Sequence, residues 1–147
     1  MSQDVLPSAP TTPSPSGEVP LVVGLDLGGT KMAAALVDVH GTLRGPVASC
    51  PTPAHDGPAA MLDSISALVQ QVVTAGTHEA PGLPASVAAV GIGTAGVVDV
   101  ETGTILSATD AITGWAGTQV AAGVRERLVS VGLGALPVHV ENDVDAY

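Results

Sequence analysis

Aromatic residues are nearly missing: the 147 residues hold one Trp, one Tyr and no Phe. Any core must be built from aliphatic side chains, and modules that grip sugars or single-stranded nucleic acid on aromatic platforms are disfavoured. Cations are as scarce, with four Lys+Arg against fourteen Asp+Glu and a net charge of −10. Four cations cannot form a basic patch, so the counterion release that drives DNA binding has no source. An anionic membrane surface repels such a chain. Neither nucleic acid nor membrane is therefore expected among its partners. Cys50 is the only cysteine; it forms no internal disulfide and no zinc cluster by itself, which fits a reducing, cytoplasmic setting. No apolar run approaches the roughly 18 residues of a membrane span. Met1 to Glu18 has neither a cationic start nor an apolar stretch, so it does not read as a signal peptide.

What is present is an apolar fraction of 46% in a length suited to about one domain. Residues 1–18 are rich in Pro, Ser and Thr and are expected to be a disordered tail, too short for a helix-turn-helix domain. The folded part is expected over 19–147. Val19 to Asp26, Met32 to Val39 and Thr42 to Cys50 read as three strands joined by short turns, an antiparallel meander. From Ala59 to Thr74, Met61, Leu62, Ile65, Leu68, Val69, Val72 and Val73 recur at helical spacing, with Gly76 as the stop and a loop from Glu79 to Pro84. Ser86 to Ile92 is nearly all apolar, the pattern of a central strand. Thr104 to Ser107 reads as a short strand. Thr118 is the expected cap of a second helix with Val120, Val124, Leu128 and Val131 on one face. Val138 to Val140 is a last strand, and a helix is expected from Val144. The order β-β-β-α-β-α-β predicts a mixed α/β domain with flanking helices.

Three clusters fall where strands end, which is where ligands of α/β sheets bind. In Asp26-Leu27-Gly28-Gly29-Thr30-Lys31 the glycines either serve a plain hairpin by positive φ or form an anion nest, with Thr30 and Lys31 as added donors. Asp26 at the strand end is suited to hold Mg²⁺ through water. In Gly91-Ile92-Gly93-Thr94-Ala95-Gly96-Val97-Val98-Asp99 the glycines mark a bulge leaving the sheet or close approach of a ligand. In Glu141-Asn142-Asp143 a carboxylate is placed to accept a proton from a hydroxyl, or the residues cap a helix. Trp115 reads either as core or as a pocket wall. His40, His55, His78 and His139 show no ligand spacing.

Together, in this order, the motifs resemble the N-terminal half of the ROK family, which includes bacterial sugar kinases such as glucokinase and N-acetylmannosamine kinase, and related repressors. Asp26 to Lys31 resembles the family's first phosphate motif. Gly91 to Asp99 is similar to its Gly-Ile-Gly-x-Pro-Gly-x-Val-Asp stretch, Gly114-Trp115 to the end of its Asn-x-x-Gly-Trp sugar loop, and Glu141 to Ala146 to its Glu-Asn-Asp-Ala-Asn-Ala. The resemblance covers residue 19 to the end. It implies the N-terminal lobe of an actin-like (ribonuclease H-like) ATPase fold, and phosphoryl transfer from ATP to a hexose hydroxyl. Gly28, Gly29, Thr30 and Lys31 would then cradle the phosphate, with Asp26 orienting Mg²⁺. Asp143 would be the catalytic base, Asn142 would bond a neighbouring hydroxyl, and Gly96, Gly114 and Trp115 would line the sugar site.

The sequence departs from that pattern at Ala111, where the family's sugar loop has Asn, and at Asp145, also usually Asn. The loss of Asn at 111 puts hexose specificity in question. The family's zinc, Glu-x-Gly-His and adenosine-binding segments belong to its second half, so no zinc site is expected in this chain. On this reading the 147 residues are one lobe, inactive alone, and a homo-oligomer of the full-length form remains open. The alternatives are a non-catalytic sugar sensor and a regulator lacking its DNA-binding domain.

Overall fold

A computed structural model describes residues 20–79 and 87–142. The elements are β1 (Leu21–Leu27), β2 (Lys31–Asp38), β3 (Ala48–Pro51), α1 (Pro58–Glu79), β4 (Val87–Thr94), β5 (Val97–Asp99), β6 (Thr104–Ser107), α2 (Val120–Val129) and β7 (Val138–Asn142). The main sheet runs β3-β2-β1-β4-β7, and β5 pairs with β6 in a separate hairpin. The first three strands are antiparallel neighbours, whereas β1, β4 and β7 are mutually parallel. This is the expected mixed α/β architecture.

The connection β3→α1→β4, and that from β4 through the β5–β6 hairpin and α2 to β7, step in the same direction across the sheet. Right-handed connections then place both helices on one face. The burial pattern agrees. Leu21, Val23, Leu25 and Leu27 of β1 point into the core with Met61, Ile65, Leu68 and Val69 of α1 and Val120, Val124 and Leu128 of α2. Each such aliphatic side chain contributes about 1.5–3 kcal/mol when fully buried. The opposite sheet face carries Gly24, Ala33, Ala35, Gly91 and Gly93, which line an open groove. Among the described residues no helix is long and apolar enough to cross a membrane.

The structure corrects several expected boundaries. The third strand spans only Ala48–Pro51, and Leu43 makes just an isolated bridge to Val37. The cause is Asp38, whose carboxylate accepts from the N–H groups of His40 and Thr42 and pairs with Arg44 at 3.2 Å, closing a turn where a strand was expected. The Thr42 N–H above all holds the Asp38 carboxyl below its usual range; it outweighs the upward push of burial, and the His40 N–H and Arg44 add to it. Helix α1 runs through Gly76 to Glu79, so a lone glycine did not stop it; packing of the apolar face outweighs the roughly 1 kcal/mol that a helical glycine costs. The rest of the expected 79–84 loop lies outside the described residues.

Thr118 does not cap α2. The N-cap position is Gln119, without a side-chain bond, and the Thr118 hydroxyl donates to the Gly114 carbonyl at 3.1 Å. The Gly103 carbonyl takes the first helical N–H groups instead, from Val120 at 3.0 Å and Ala121 at 3.3 Å. Val131 lies beyond the helix and is 40% exposed. Strands β4 and β7 each run two residues past their expected ends, to Thr94 and Asn142, and β5 was not foreseen.

Candidate functional site

The register of the parallel strands gathers the motifs at one end of the sheet. Leu27, Thr94 and Asn142 form one row across β1, β4 and β7, and Asp26, Gly93 and Glu141 the row before it. The glycine turn after β1, the bend after β4 and the end of β7 at Asn142 therefore meet at the carboxyl edge, where open α/β sheets place their ligands.

The turn after β1 is tight: the Gly28 N–H donates to the Lys31 carbonyl at 3.0 Å. Neither Gly28 nor Gly29 uses positive φ, so the hairpin that joins β1 and β2 does not need the pair for that reason. Gly28 is required by space, because a Cβ there would stand 2.7 Å from the Lys31 carbonyl oxygen. Gly29 has ordinary room, with the Ala111 methyl 3.7 Å from its would-be Cβ. That contact brings the phosphate-type turn against the loop before Gly114. Asp26 and Lys31 are exposed, and neither makes an ion pair among the described residues. Arg44 and Arg127, by contrast, are used on Asp38 and Asp63. An unspent carboxylate and ammonium flanking a narrow glycine turn suit a metal-bound phosphate. Among the described residues no cluster of His, Cys, Asp and Glu could hold a metal. Burial pushes the Cys50 thiol up, away from thiolate chemistry.

The bend after β4 needs its glycine. Gly96 has φ of +101°, and a Cβ would run into the Ser107 carbonyl. Its own carbonyl accepts from the Asn142 side-chain amide, so the second and third motifs are joined directly. Asp99, last in the second motif, organises the β5–β6 turn by accepting from the Glu101 N–H at 3.1 Å.

Gly114 adopts φ of +71° and lies against Pro58, at the start of α1, with its would-be Cβ 3.4 Å from that ring. Trp115 is 1% exposed and belongs to the core. Its indole N–H donates to the Thr94 hydroxyl at 3.3 Å. Its ring offers no open face as a pocket wall; it anchors the loop to the end of β4. Asp143, the expected base, lies outside the described residues, as does the helix expected from Val144.

Sequence reading missed the segment after β3. The Thr52 hydroxyl donates to the Gly28 carbonyl at 2.7 Å and the Thr52 N–H to the Thr30 carbonyl at 2.9 Å. The signal available was Pro51-Thr52-Pro53, since a residue before proline is held extended.

A family model described as "ROK family" matches residues 22–147. The chain belongs to the ROK family. It is 34% identical over 126 residues to a glucokinase of Streptomyces coelicolor, covering 86% of this chain and 33% of that protein. Among solved structures, a Streptomyces griseus ROK glucokinase in complex with glucose and AMPPNP superposes with a TM-score of 0.62 at 32% identity, over 86% of this chain and 34% of that one. A Thermus thermophilus ROK hexokinase gives a TM-score of 0.65 at 28% identity, over 86% and 36%. The chain thus spans about a third of the length of these relatives, in the actin-like ATPase fold of ROK sugar kinases.

Proposed function

We propose that this chain is one lobe, over residues 19–147, of an ATP-dependent hexose kinase, and that turnover requires the two-thirds of its relatives' length that it does not match. The observation that carries this reading is the convergence at the sheet's carboxyl edge of a narrow glycine turn with unspent Asp26 and Lys31, and of Asn142 tied to Gly96. A phosphoryl donor and a polyhydroxyl acceptor need those two kinds of group side by side.

In this reading Gly28, Gly29, Thr30 and Lys31 bind the transferred phosphate, and Asp26 holds Mg²⁺ through water. The metal supplies charge neutralisation on the phosphate oxygens. Asn142 and the Gly96 and Gly114 loops bind and orient the sugar, and Asp143 takes the proton from the attacking hydroxyl. The protein acts in the cytoplasm on small molecules.

Ala111 favours a second reading. Its methyl faces Gly29 where the family pattern has an amide, which fits a sugar sensor that has lost catalysis. Calorimetric titration of the protein from its own cells with glucose, mannose and N-acetylmannosamine tests the sugar site shared by both. Saturable binding of at least one hexose is expected. Failure of all three to bind would overturn the hexose reading.

A further inference from the structure

Residues 52–58 touch both halves of the site. At one end Thr52 bonds the carbonyls of Gly28 and Thr30. Two residues on, the Ala54 carbonyl accepts from the Thr113 N–H at 2.7 Å, and His55 Nδ1 hydrogen-bonds the Thr113 hydroxyl at 3.1 Å. At the far end the Pro58 ring lies against Gly114. The span is stiffened internally by the Ala54 N–H donating to the Thr52 carbonyl at 2.8 Å and by flanking prolines on both sides of Thr52.

We propose that Thr52 is a positioning residue: its hydroxyl aims the 28–31 turn, and the 52–58 strap couples that turn to the 111–114 loop. The peptide group explains the aim. In a trans peptide the carbonyl and the following N–H point in opposite directions. Drawing the Gly28 carbonyl onto Thr52 therefore turns the Gly29 N–H away from the strap. The backbone contact is made by a side chain held extended on a short, proline-bounded segment, so the turn is set before any ligand arrives. The same strap fixes where Thr113 and Gly114 stand. Donor and acceptor subsites are thereby held in one frame. What the turn binds rests on the kinase reading above; the coupling rests on the hydrogen bonds alone.

Two measurements on the protein from its own cells separate these. Thr52→Val removes the hydroxyl donor but keeps the side-chain shape and the backbone bond to Thr30; Thr52→Ser keeps the donor. Amide hydrogen exchange is expected to quicken about tenfold in both 28–31 and 111–114 for Val, and to stay near the parent for Ser. Unchanged exchange in 111–114, or equal effects of Val and Ser, would overturn the coupling. With Mg–ATP and glucose, Val should lower kcat about 10–100-fold while the sugar KM stays within about threefold, and Ser should restore kcat. A parent that phosphorylates no sugar defeats the kinase reading and leaves exchange to decide the positioning role. An active parent whose Val variant keeps kcat within about twofold defeats the positioning role. If Thr52→Val does not fold, Thr113→Val tests the strap from its other end. It should quicken exchange in 28–31, and no change there contradicts the coupling.

Discussion

Asp143→Asn is expected to lower kcat at least about 100-fold while leaving hexose affinity within about threefold. General-base catalysis by a positioned side chain contributes roughly 10²–10⁴-fold. Asparagine keeps the size and the hydrogen-bonding reach of aspartate but cannot accept the hydroxyl proton at neutral pH. Binding and chemistry should therefore separate cleanly in this variant. Steady-state kinetics with Mg–ATP and hexose, paired with calorimetric sugar titration, read the two effects independently. A sugar sensor differs in the parent, which binds sugar but shows no turnover for the variant to lose. Parent-like kcat in the variant would mean that another group takes the proton.

The second large effect concerns stability. Trp115→Ala should destabilise the domain by about 3–5 kcal/mol, the usual cost of truncating a buried Trp. The midpoint of thermal unfolding should fall by about 10–20 °C. The reason is specific to this chain. Trp115 is the only tryptophan, is 1% exposed, and stands in a core otherwise built from aliphatic side chains. Among the described residues there is no other aromatic to swing in and fill the space. Its indole also holds the Thr94 hydroxyl at the end of β4, beside the bend that carries Gly96. Trp115→Phe keeps much of the volume and gives up the N–H, so it should cost only about 1–2 kcal/mol. Melting followed by far-UV circular dichroism is the right probe, since the variant removes the fluorophore. A loss below about 1 kcal/mol for the alanine variant would place the ring outside the core.

These two residues mark how differently the site was written into the sequence. Where a motif coincides with a strand end, as at Asp26 to Lys31 and Thr94 to Gly96, position and composition pointed the same way, and the parallel register brought the motifs together. The apolar periodicity of α1 likewise fixed its inward face, because a helix can bury only one stripe of side chains. The misreadings arise where a local signal was overridden by a contact that composition does not announce, near in sequence at Gly28 and Asp38 and distant elsewhere. Gly76 resembled a stop but is carried through by the packed helix. Thr118 resembled a cap, yet a carbonyl fifteen residues earlier, that of Gly103, holds the helix start. Gly28 and Gly29 resembled a positive-φ pair, but Gly28 is needed because the chain doubles back onto Lys31. Thr52 lies 24 residues from Gly28 and carries no pattern that announces the bond. Such contacts become visible only once the strands are in register.

The most direct test of the central claim is phosphorus NMR of the protein from its own cells, incubated with Mg–ATP and a hexose that it binds. The γ-phosphate resonance of ATP should decay as a sugar phosphomonoester resonance grows, and only when hexose is present. ATP that stays intact at saturating hexose, or that yields inorganic phosphate alone, would contradict the account.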